Sequence, residues 1–189
     1  MPVCGAGEVI AAASWSATLL GTRLMDIVDK ETRSRMMSSV RAKDTRIEVA
    51  LRRRLFRMGF RFRLHRADLP GRPDIVFTRF SAVILVHGCF WHLHGCVRSK
   101  LPATRRAWWR SKLQTNRQRD MAEIQKLRDL GWRVMVIWEC SMRKSGAVLE
   151  DALDKVACRA ARFLESRKAY LEIPEPPRER RFPPTRDTR

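Results

Sequence analysis

The densest group of reactive side chains in the sequence lies at residues 87–96, which read His-Gly-Cys-Phe-Trp-His-Leu-His-Gly-Cys. Three nitrogen or sulfur ligands, Cys89, His94 and Cys96, lie on one short loop that follows the apolar segment Ser81–Val86. Cys140 follows a second apolar segment, Trp132–Trp138, which can run beside the first as a strand. Structural zinc sites take four such ligands in a tetrahedron. We therefore predict a zinc site at these four residues; the alternative is buried structural cysteines beside surface histidines.

A second group of residues offers the hard oxygen ligands that a catalytic metal ion would need. Asp74 follows Pro73 at the start of a predicted strand, where its carboxylate would supply the hard oxygen that magnesium prefers. The alternative is a turn carboxylate paired with Arg72. Glu48 could join Asp74 from the preceding helix, but it also completes the capping box that begins at Thr45, and the sequence is equally compatible with both uses.

Two histidines in the same region, His87 and His92, could move protons. An unperturbed imidazole titrates near neutrality, so either ring could act as a general base. His92 is the better candidate because it lies inside the loop, whereas His87 closes the preceding strand. Either ring could instead be a metal ligand, and spacing alone does not distinguish His92 from His94 in the zinc site.

Large aromatic rings and cations surround these residues. Phe90 and Trp91 sit between the predicted zinc ligands, and Trp109 belongs to a basic segment that also contains Arg105 and Lys112. Rings that a metal-braced loop holds away from the core can wedge between the base steps of DNA. Core packing is the usual alternative for Phe and Trp, but the cationic surroundings favour contact with nucleic acid.

The hydrophobic pattern predicts the elements that must position these residues. In chain order they are a helix from Thr45 to Met58, strands at Phe60–Leu64, Asp74–Phe77 and Ser81–Val86, a helix at 106–130, a strand at Trp132–Trp138 and a helix at 147–167. This order predicts an α/β fold with three layers, α/β/α, around a small mixed sheet.

The predicted elements form one domain at residues 29–167. Residues 1–28 are mostly small and uncharged, so we expect either a disordered extension or translated sequence upstream of a natural start at Met25. Residues 168–189 contain many Pro and Arg residues, which predicts a disordered tail.

The composition indicates a polyanionic partner. Lys and Arg number 39 against 20 Asp and Glu, a formal net charge of +19. Solubility does not require so high a charge, which favours a polyanionic partner over a merely solvated basic surface. The charge alone does not separate DNA from RNA or from an anionic membrane surface. Five cysteines without the spacing of a secreted disulfide framework favour a reducing cytoplasm, and no apolar run reaches the roughly 20 residues that span a bilayer.

Five segments of the sequence resemble the very short patch repair (Vsr) DNA mismatch endonucleases. They are DKETRSRMMSSVRAKDTRIE (Asp29–Glu48), LPGRPDIVF (Leu69–Phe77), VHGCFWHLHGC (Val86–Cys96), PATRRAWW (Pro102–Trp109) and LGWRVMVIWEC (Leu130–Cys140). The resemblance implies a PD-(D/E)xK-like, restriction-endonuclease-like fold. It further implies a magnesium-dependent enzyme that nicks one DNA strand 5′ to the thymine of a T·G mismatch, the lesion that deamination of 5-methylcytosine leaves.

The resemblance also implies roles for individual residues. Asp74 and the backbone carbonyl of Val86 would coordinate magnesium, with Glu48 and His87 acting around metal-bound water and His92 serving as the base or positioning the water. The implied zinc ligands are Cys89, His94, Cys96 and Cys140, and the implied intercalating rings are Phe90, Trp91 and Trp109. We expect Arg105 and Lys112 to contact DNA beside these rings.

The expected partners are double-stranded DNA with a T·G mismatch, mismatch-repair proteins and a repair polymerase. We expect a monomer, since one nick needs only one active site, in the bacterial cytoplasm at the nucleoid. Two rival functions are a restriction-type nuclease that cuts matched duplex and a zinc-dependent DNA-binding module in which Asp74 and Glu48 are structural.

Overall fold

A four-stranded mixed sheet lies at the centre of the computed structural model, which describes residues 29–38, 43–144 and 147–175. The strands in chain order are β1 (Ile75–Phe77), β2 (Ala82–His87), β3 (Arg133–Trp138), β4 (Arg143–Lys144), β5 (Ala147–Val148) and β6 (Tyr170–Ile173). The central sheet has the order β1-β2-β3-β6, and β4 and β5 form a separate two-stranded pair. The β1–β2 pair is antiparallel, whereas the β2–β3 and β3–β6 pairs are parallel.

Helices cover both faces of the sheet. They are α1 (Lys30–Ser38), α2 (Arg46–Arg57), α3 (Arg106–Asp129) and α4 (Glu150–Glu165). Alternate residues of a strand point to opposite faces, so Ile84 and its neighbours Ala82, Met135 and Ile137 pack with α2 and α4, whereas Val83, Leu85, Val134 and Val136 pack with α3. The predicted α/β class and the small mixed sheet are confirmed, and the helices form a layer on each side.

Helix α2 shows how the local sequence determines where a helix begins. Its N-cap is Thr45, whose hydroxyl accepts a hydrogen bond from the Glu48 N–H, and its buried face carries Ile47, Leu51 and Leu55. This is the capping box that the sequence predicts. The exposed face of α2 carries Arg46, Arg53 and Arg57, while the buried face fixes the helix against the sheet.

The strand predicted at Phe60–Leu64 is wrong. Only Arg63 makes a sheet-like contact, an isolated antiparallel bridge to Val76. The alternation of apolar and basic residues has another cause, because the Phe60 and Phe62 rings pack against Phe77 with centroid distances of 6.2 and 5.6 Å. An irregular segment thus buries alternate side chains without adding a strand.

The stretch predicted as a disordered tail from residue 168 also needs correction. Residues 170–173 form β6, which pairs with β3 over Val134–Ile137 and closes one edge of the sheet. The Pro and Arg content dominates the sequence pattern there and hides four residues that extend the sheet. The predictions for residues 1–28 and for the tail beyond residue 175 lie outside the described residues. Within the described part, no helix is both long and apolar enough to cross a membrane.

Candidate active site and metal centre

The parallel strands β2 and β3 end at the same edge of the sheet. Their last residues, His87 and Trp138, are partners in the register, so the segments that follow both strands leave from one place. The loop that begins at Gly88 carries the predicted ligands, and Cys140 lies two residues beyond the end of β3. Sites in sheets of this kind are commonly built where strands end.

The four predicted zinc ligands come together at this edge. The ligand atoms of Cys89, His94, Cys96 and Cys140 all lie within 4.8 Å of one another. His94 Nδ1 is 3.4 Å from Cys140 Sγ, and the Cys140 N–H donates to Cys89 Sγ at 3.3 Å. One nitrogen and three sulfur donors with this spacing have the chemistry and number that a tetrahedral zinc ion requires.

Hydrogen bonds and ring stacking hold the loop of the cluster in place. Ser99 Oγ donates to the Cys89 carbonyl and accepts from the Gly95 N–H, both at 2.9 Å. The Trp138 ring stacks on the His94 ring at 4.3 Å. Burial raises the pKa of the Cys89 thiol and of the Cys140 thiol. A bound cation would offset this effect, because metal ligation requires the thiolate form.

A cleft beside this cluster contains all the predicted catalytic residues. Its lining includes Glu48, Asp74, Val86, His87 and His92. Asp74 Oδ2 accepts a hydrogen bond from the Val86 N–H at 2.7 Å, which fixes the carboxylate against β2. Burial and the negative charge of Glu48 raise the pKa of Asp74 to about 6, although the bond from Val86 opposes that shift. A carboxylate destabilised in this way gains from a cation nearby.

Glu48 has both of the uses that the sequence left open. Thr45 Oγ1 donates to its Oε1 at 2.7 Å, and Oε2 accepts from the Asp44 N–H at 3.0 Å and from Arg52 Nη2 at 3.1 Å. The carboxylate is therefore part of the helix cap. Because it also lines the cleft within electrostatic reach of Asp74, the capping role does not remove it from the candidate site.

His87 and His92 lie one upon the other. Their rings stack with centroids 4.0 Å apart and planes within 5° of parallel. Asp120 Oδ2 lies 2.5 Å from His92 Nδ1, which makes Asp120 the acceptor of the Nδ1 proton and leaves Nε2 to accept another. Burial, with a smaller contribution from the charge of His92, lowers the pKa of His87 well below its usual value, so His87 is neutral at physiological pH.

The predicted DNA-contacting residues form a cluster of aromatic rings and cations beside the cleft. The Phe90 ring centroid is 5.1 Å from that of Trp91 and 5.2 Å from that of Trp109. Trp108 extends the cluster, with its centroid 4.8 Å from that of Trp109. Two predicted cations lie over the Trp108 ring: Arg105 at 5.3 Å and Lys112 at 5.0 Å. The Asn116 amide donates to the Trp91 carbonyl at 3.2 Å and ties the loop to α3.

Comparisons with known proteins identify the family. A family model described as DNA mismatch endonuclease Vsr matches residues 25–98. The DNA mismatch endonuclease Vsr of Escherichia coli (strain K12) is 44% identical over 130 residues, which are 69% of this chain and 83% of the relative. The chain belongs to the Vsr family of DNA mismatch endonucleases. Members of this family are DNA-cleaving hydrolases, and this chain is accordingly a DNA endonuclease.

Two further relatives are named as nicking enzymes. The Type II nicking enzyme V.XorIIP of Xanthomonas oryzae pv. oryzae (strain KACC10331 / KXO85) is 47% identical over 69% of this chain and 98% of its own length. The Type II nicking enzyme V.NmeAIP of Neisseria meningitidis serogroup A / serotype 4A (strain DSM 15465 / Z2491) is 34% identical over 70% of this chain and 94% of its own length.

The cleft of this Vsr family member also contains a residue that the sequence reasoning missed. The sequence pattern predicts α3 as a basic helix with an apolar stripe, and this pattern assigns no role to Asp120. It lies on the buried side of that helix with Leu113, Ile124 and Leu127. A carboxylate at a position where the helical spacing requires an apolar residue is a signal that could have identified it. The sequence pattern does not predict Arg52 and His65 either. Arg52 donates to Glu48 and contacts His65, and His65 in turn approaches Asp74.

Proposed function

We propose that this Vsr family member is a magnesium-dependent endonuclease that nicks DNA 5′ to the thymine of a T·G mismatch. The observation that carries the proposal is the cleft at the end of β2. It gathers Asp74, Glu48, His87 and His92 directly beside a cluster of exposed and half-buried aromatic rings. On this proposal a hydrolytic site lies beside aromatic rings that separate bases, as selective cleavage at a distorted base pair requires.

Asp74 and the main-chain carbonyl of Val86 are the groups that we propose would hold magnesium. The donors fit this ion because both are hard oxygens, and because the Asp74 carboxylate is half-buried beside a second carboxylate, Glu48, whose charge a cation would offset. A magnesium ion bound there would supply Lewis-acid polarisation of the scissile phosphate.

His92 is the group that we propose accepts the proton of the attacking water. Asp120 holds the Nδ1 proton, so Nε2 is the basic nitrogen, and the stacked, neutral His87 ring prevents His92 from turning away. As the water oxygen bonds to phosphorus, its proton passes to Nε2, the bond to the 3′ oxygen breaks, and the departing 3′ oxygen takes a proton from solvent. The products are a 5′-phosphate and a 3′-hydroxyl, which a repair polymerase could extend.

The aromatic cluster is the proposed mismatch reader. Phe90, Trp91 and Trp109 contact one another and could enter the base stack, with Arg105 and Lys112 held close by for phosphate contacts. Unstacking costs a few kcal/mol per step and costs less where pairing is already imperfect, as at a T·G pair. This difference would favour mismatched over matched duplex.

We propose further that zinc occupies the Cys89, His94, Cys96 and Cys140 cluster and takes no part in the chemistry. All four protein ligands are present, so a tetrahedral ion would have no open position for substrate. The whole arrangement belongs, on this proposal, to a PD-(D/E)xK-like nuclease. The enzyme would act as a monomer in the bacterial cytoplasm, where mismatch-repair proteins and a polymerase would complete the repair.

The direct test is strand-resolved cleavage of end-labelled duplexes, with and without magnesium, in several methyltransferase sequence contexts. We expect nicking of the thymine strand of a T·G duplex, no cleavage of the matched duplex, and loss of nicking but not of binding in Asp74→Ala. Cleavage of matched duplex would indicate a restriction-type nuclease. Tight binding with no cleavage in any context would indicate a DNA-binding module without catalysis.

A further inference from the structure

A buried arginine behind the cleft contacts the candidate catalytic residues without entering the steps above. Arg52, on α2, is 7% exposed, and its guanidinium donates to Asp44 Oδ1 and to Glu48 Oε2. Its Nη2 is also 3.1 Å from Nε2 of His65. The third nitrogen, Nε, is buried and has no hydrogen-bond partner. Three contacts thus hold the guanidinium on one side of the cleft, although one of its N–H donors has no hydrogen-bond partner.

Folding stability alone does not explain this arrangement. A buried ion pair contributes little net stability because both charges lose their hydration, and an unsatisfied buried N–H adds a further cost. Two of the partners also lie in the left-handed backbone region, Asp44 with a φ of 54° and His65 with a φ of 45°. Strained conformations of this kind cluster at functional sites. The network therefore has a cost in stability that a role in catalysis would account for.

The Arg52 contact determines which nitrogen of His65 carries the proton. A guanidinium can only donate, so Nε2 of His65 must accept, and the proton of the neutral ring lies on Nδ1. Nε2 is also 3.6 Å from Asp44 Oδ1, but that contact is longer, and Arg52 already donates to the same oxygen. Nδ1 lies 3.9 Å from Asp74 Oδ1, the oxygen that does not accept from Val86. The ring therefore presents a hydrogen, not a lone pair, to the Asp74 carboxylate.

The same contacts place the positive charge of Arg52 among Asp44, Glu48 and His65. The ligand atoms of Asp44, Glu48 and His65 lie within 4.8 Å of one another, close enough to surround a positive ion. The guanidinium already bonds to all three side chains. Its charge lies beside Glu48, the carboxylate that destabilises a charged Asp74, and acts in the opposite direction.

We propose that Arg52 and His65 are positioning residues of the cleavage centre. Arg52 orients Glu48 and fixes His65, and His65 directs its Nδ1–H at Asp74. Neither side chain touches the reacting atoms, so both act through the two carboxylates. This inference rests on the proposed function, because it assigns Glu48 and Asp74 to the reaction.

Steady-state nicking of a T·G duplex by full-length variants tests the proposal. In Arg52→Met we expect kcat to fall about 100-fold, as for a displacement of catalytic groups by about 1 Å. The KM for DNA should stay within about twofold, because the buried Arg52 side chain would act on the reaction through the two carboxylates and not on uniform binding. The matched control is Arg53→Met, one residue along α2 and exposed, which should retain the wild-type kcat.

A pair of variants at His65 keeps the test decisive if Arg52→Met fails to fold. Asn can place an N–H donor where Nδ1 lies and tolerates a positive φ, whereas Leu of similar size has no donor. We expect a kcat within about threefold of wild type in His65→Asn and about a 30-fold loss in His65→Leu, for variants with equal unfolding midpoints. Equal rates in the two variants would overturn the inference. If the wild-type enzyme itself shows no magnesium-dependent nicking, the proposed function fails instead.

Discussion

The Cys/His cluster and the cleft that contains Asp74 share one loop but differ in donor chemistry and in exposure, two properties that determine what a metal ion could do at each. The cluster consists of one nitrogen and three sulfur donors, and Cys89 and His94 are buried. The cleft offers oxygen donors from Asp74 and Val86. The side chains of Asp74 and His92 are 20% and 23% exposed. A closed set of soft donors suits a structural ion, whereas an open site with hard donors suits one that meets substrate.

A single ring connects the two regions. Trp138 stacks on His94 of the cluster and packs edge-on against His87 of the cleft, and its indole N–H donates to Glu172 of β6 at 2.5 Å. The cluster therefore sets the position of the histidines that we assign to chemistry. One short loop can therefore serve two sites when a rigid aromatic side chain lies between them. Because Trp138 contacts both, we expect loss of the cluster to disturb the cleft as well.

The largest expected effect is at Asp74. In Asp74→Asn we expect nicking to fall by a factor of about 1,000 or more, because the charged ligand is lost while the amide oxygen still accepts from Val86. The same change should stabilise the folded protein at pH 7.5 by about 1–3 kcal/mol, since a pKa raised by about two units has a cost of that order.

The pH dependence of that stability difference has a definite sign. The folded pKa of about 6 lies above the usual 3.8, so the carboxyl favours the folded state at low pH, and this contribution is lost as the pH rises through 6. Urea unfolding of wild type and Asp74→Asn should therefore give a larger stability difference at pH 7.5 than at pH 4.5. Equal differences at the two pH values would contradict the burial of a charged carboxylate.

The next effect is expected at Cys140, which joins β3 to the cluster. Cys140→Ser should lower the zinc content below one ion per chain and reduce soluble yield, because a structural zinc site contributes directly to folding free energy. Cys158→Ser, on the exposed side of α4, is the matched control and should keep the wild-type zinc content. A zinc-replete, equally stable Cys140→Ser would remove this residue from the ligand set.

A smaller loss is expected at Asp120, whose carboxylate contacts His92 Nδ1 in the cleft. Asp120→Asn should lower kcat about 100-fold with little change in KM, because an amide can donate to Nδ1 and so favours the wrong tautomer of His92. Asp129→Asn, at the end of the same helix, serves as the control. A kcat close to wild type in a folded Asp120→Asn would mean that His92 is not the base.

The smallest effect is expected in the aromatic cluster. Trp91→Ala should weaken binding of T·G duplex about 10-fold, as for the loss of one stacking side chain, and should reduce the preference for mismatched over matched DNA. Phe56→Ala, an exposed ring on α2, is the control. Fluorescence anisotropy with both duplexes measures the two affinities, and an unchanged mismatch preference would show that Trp91 does not read the mismatch.

Periodicity and residue type were sufficient to predict the two helical layers, strands β1 to β3 and the approach of Cys140 to the loop. These features depend on local pattern and on the rule that parallel strands end together. The strand at Phe60–Leu64 was wrong because alternation reports alternate burial, which an irregular segment packed on Phe77 also produces. Strand β6 was missed because four residues next to a Pro- and Arg-rich stretch give too short a signal.

The sequence does not predict Arg52, His65 and Asp120 as site residues, and the reason is largely the same for all three. The Arg52–His65 and His92–Asp120 contacts join residues that are 13 and 28 positions apart, whereas Arg52 and Glu48 are four residues apart on α2. Local spacing joins Arg52 to Glu48 but does not join His65 or Asp120 to their partners, which meet through the tertiary packing of the chain. Tertiary structure was therefore needed to find the groups that position the catalytic side chains.

The most direct test of the division between the two regions is metal exchange in one preparation. Mild chelation followed by dialysis should give protein that retains one zinc ion per chain and binds T·G duplex but does not nick it. Added magnesium should restore nicking with no change in zinc content. Nicking by the magnesium-free, zinc-replete protein would contradict the account, because the ion of the closed cluster would then be the catalytic one.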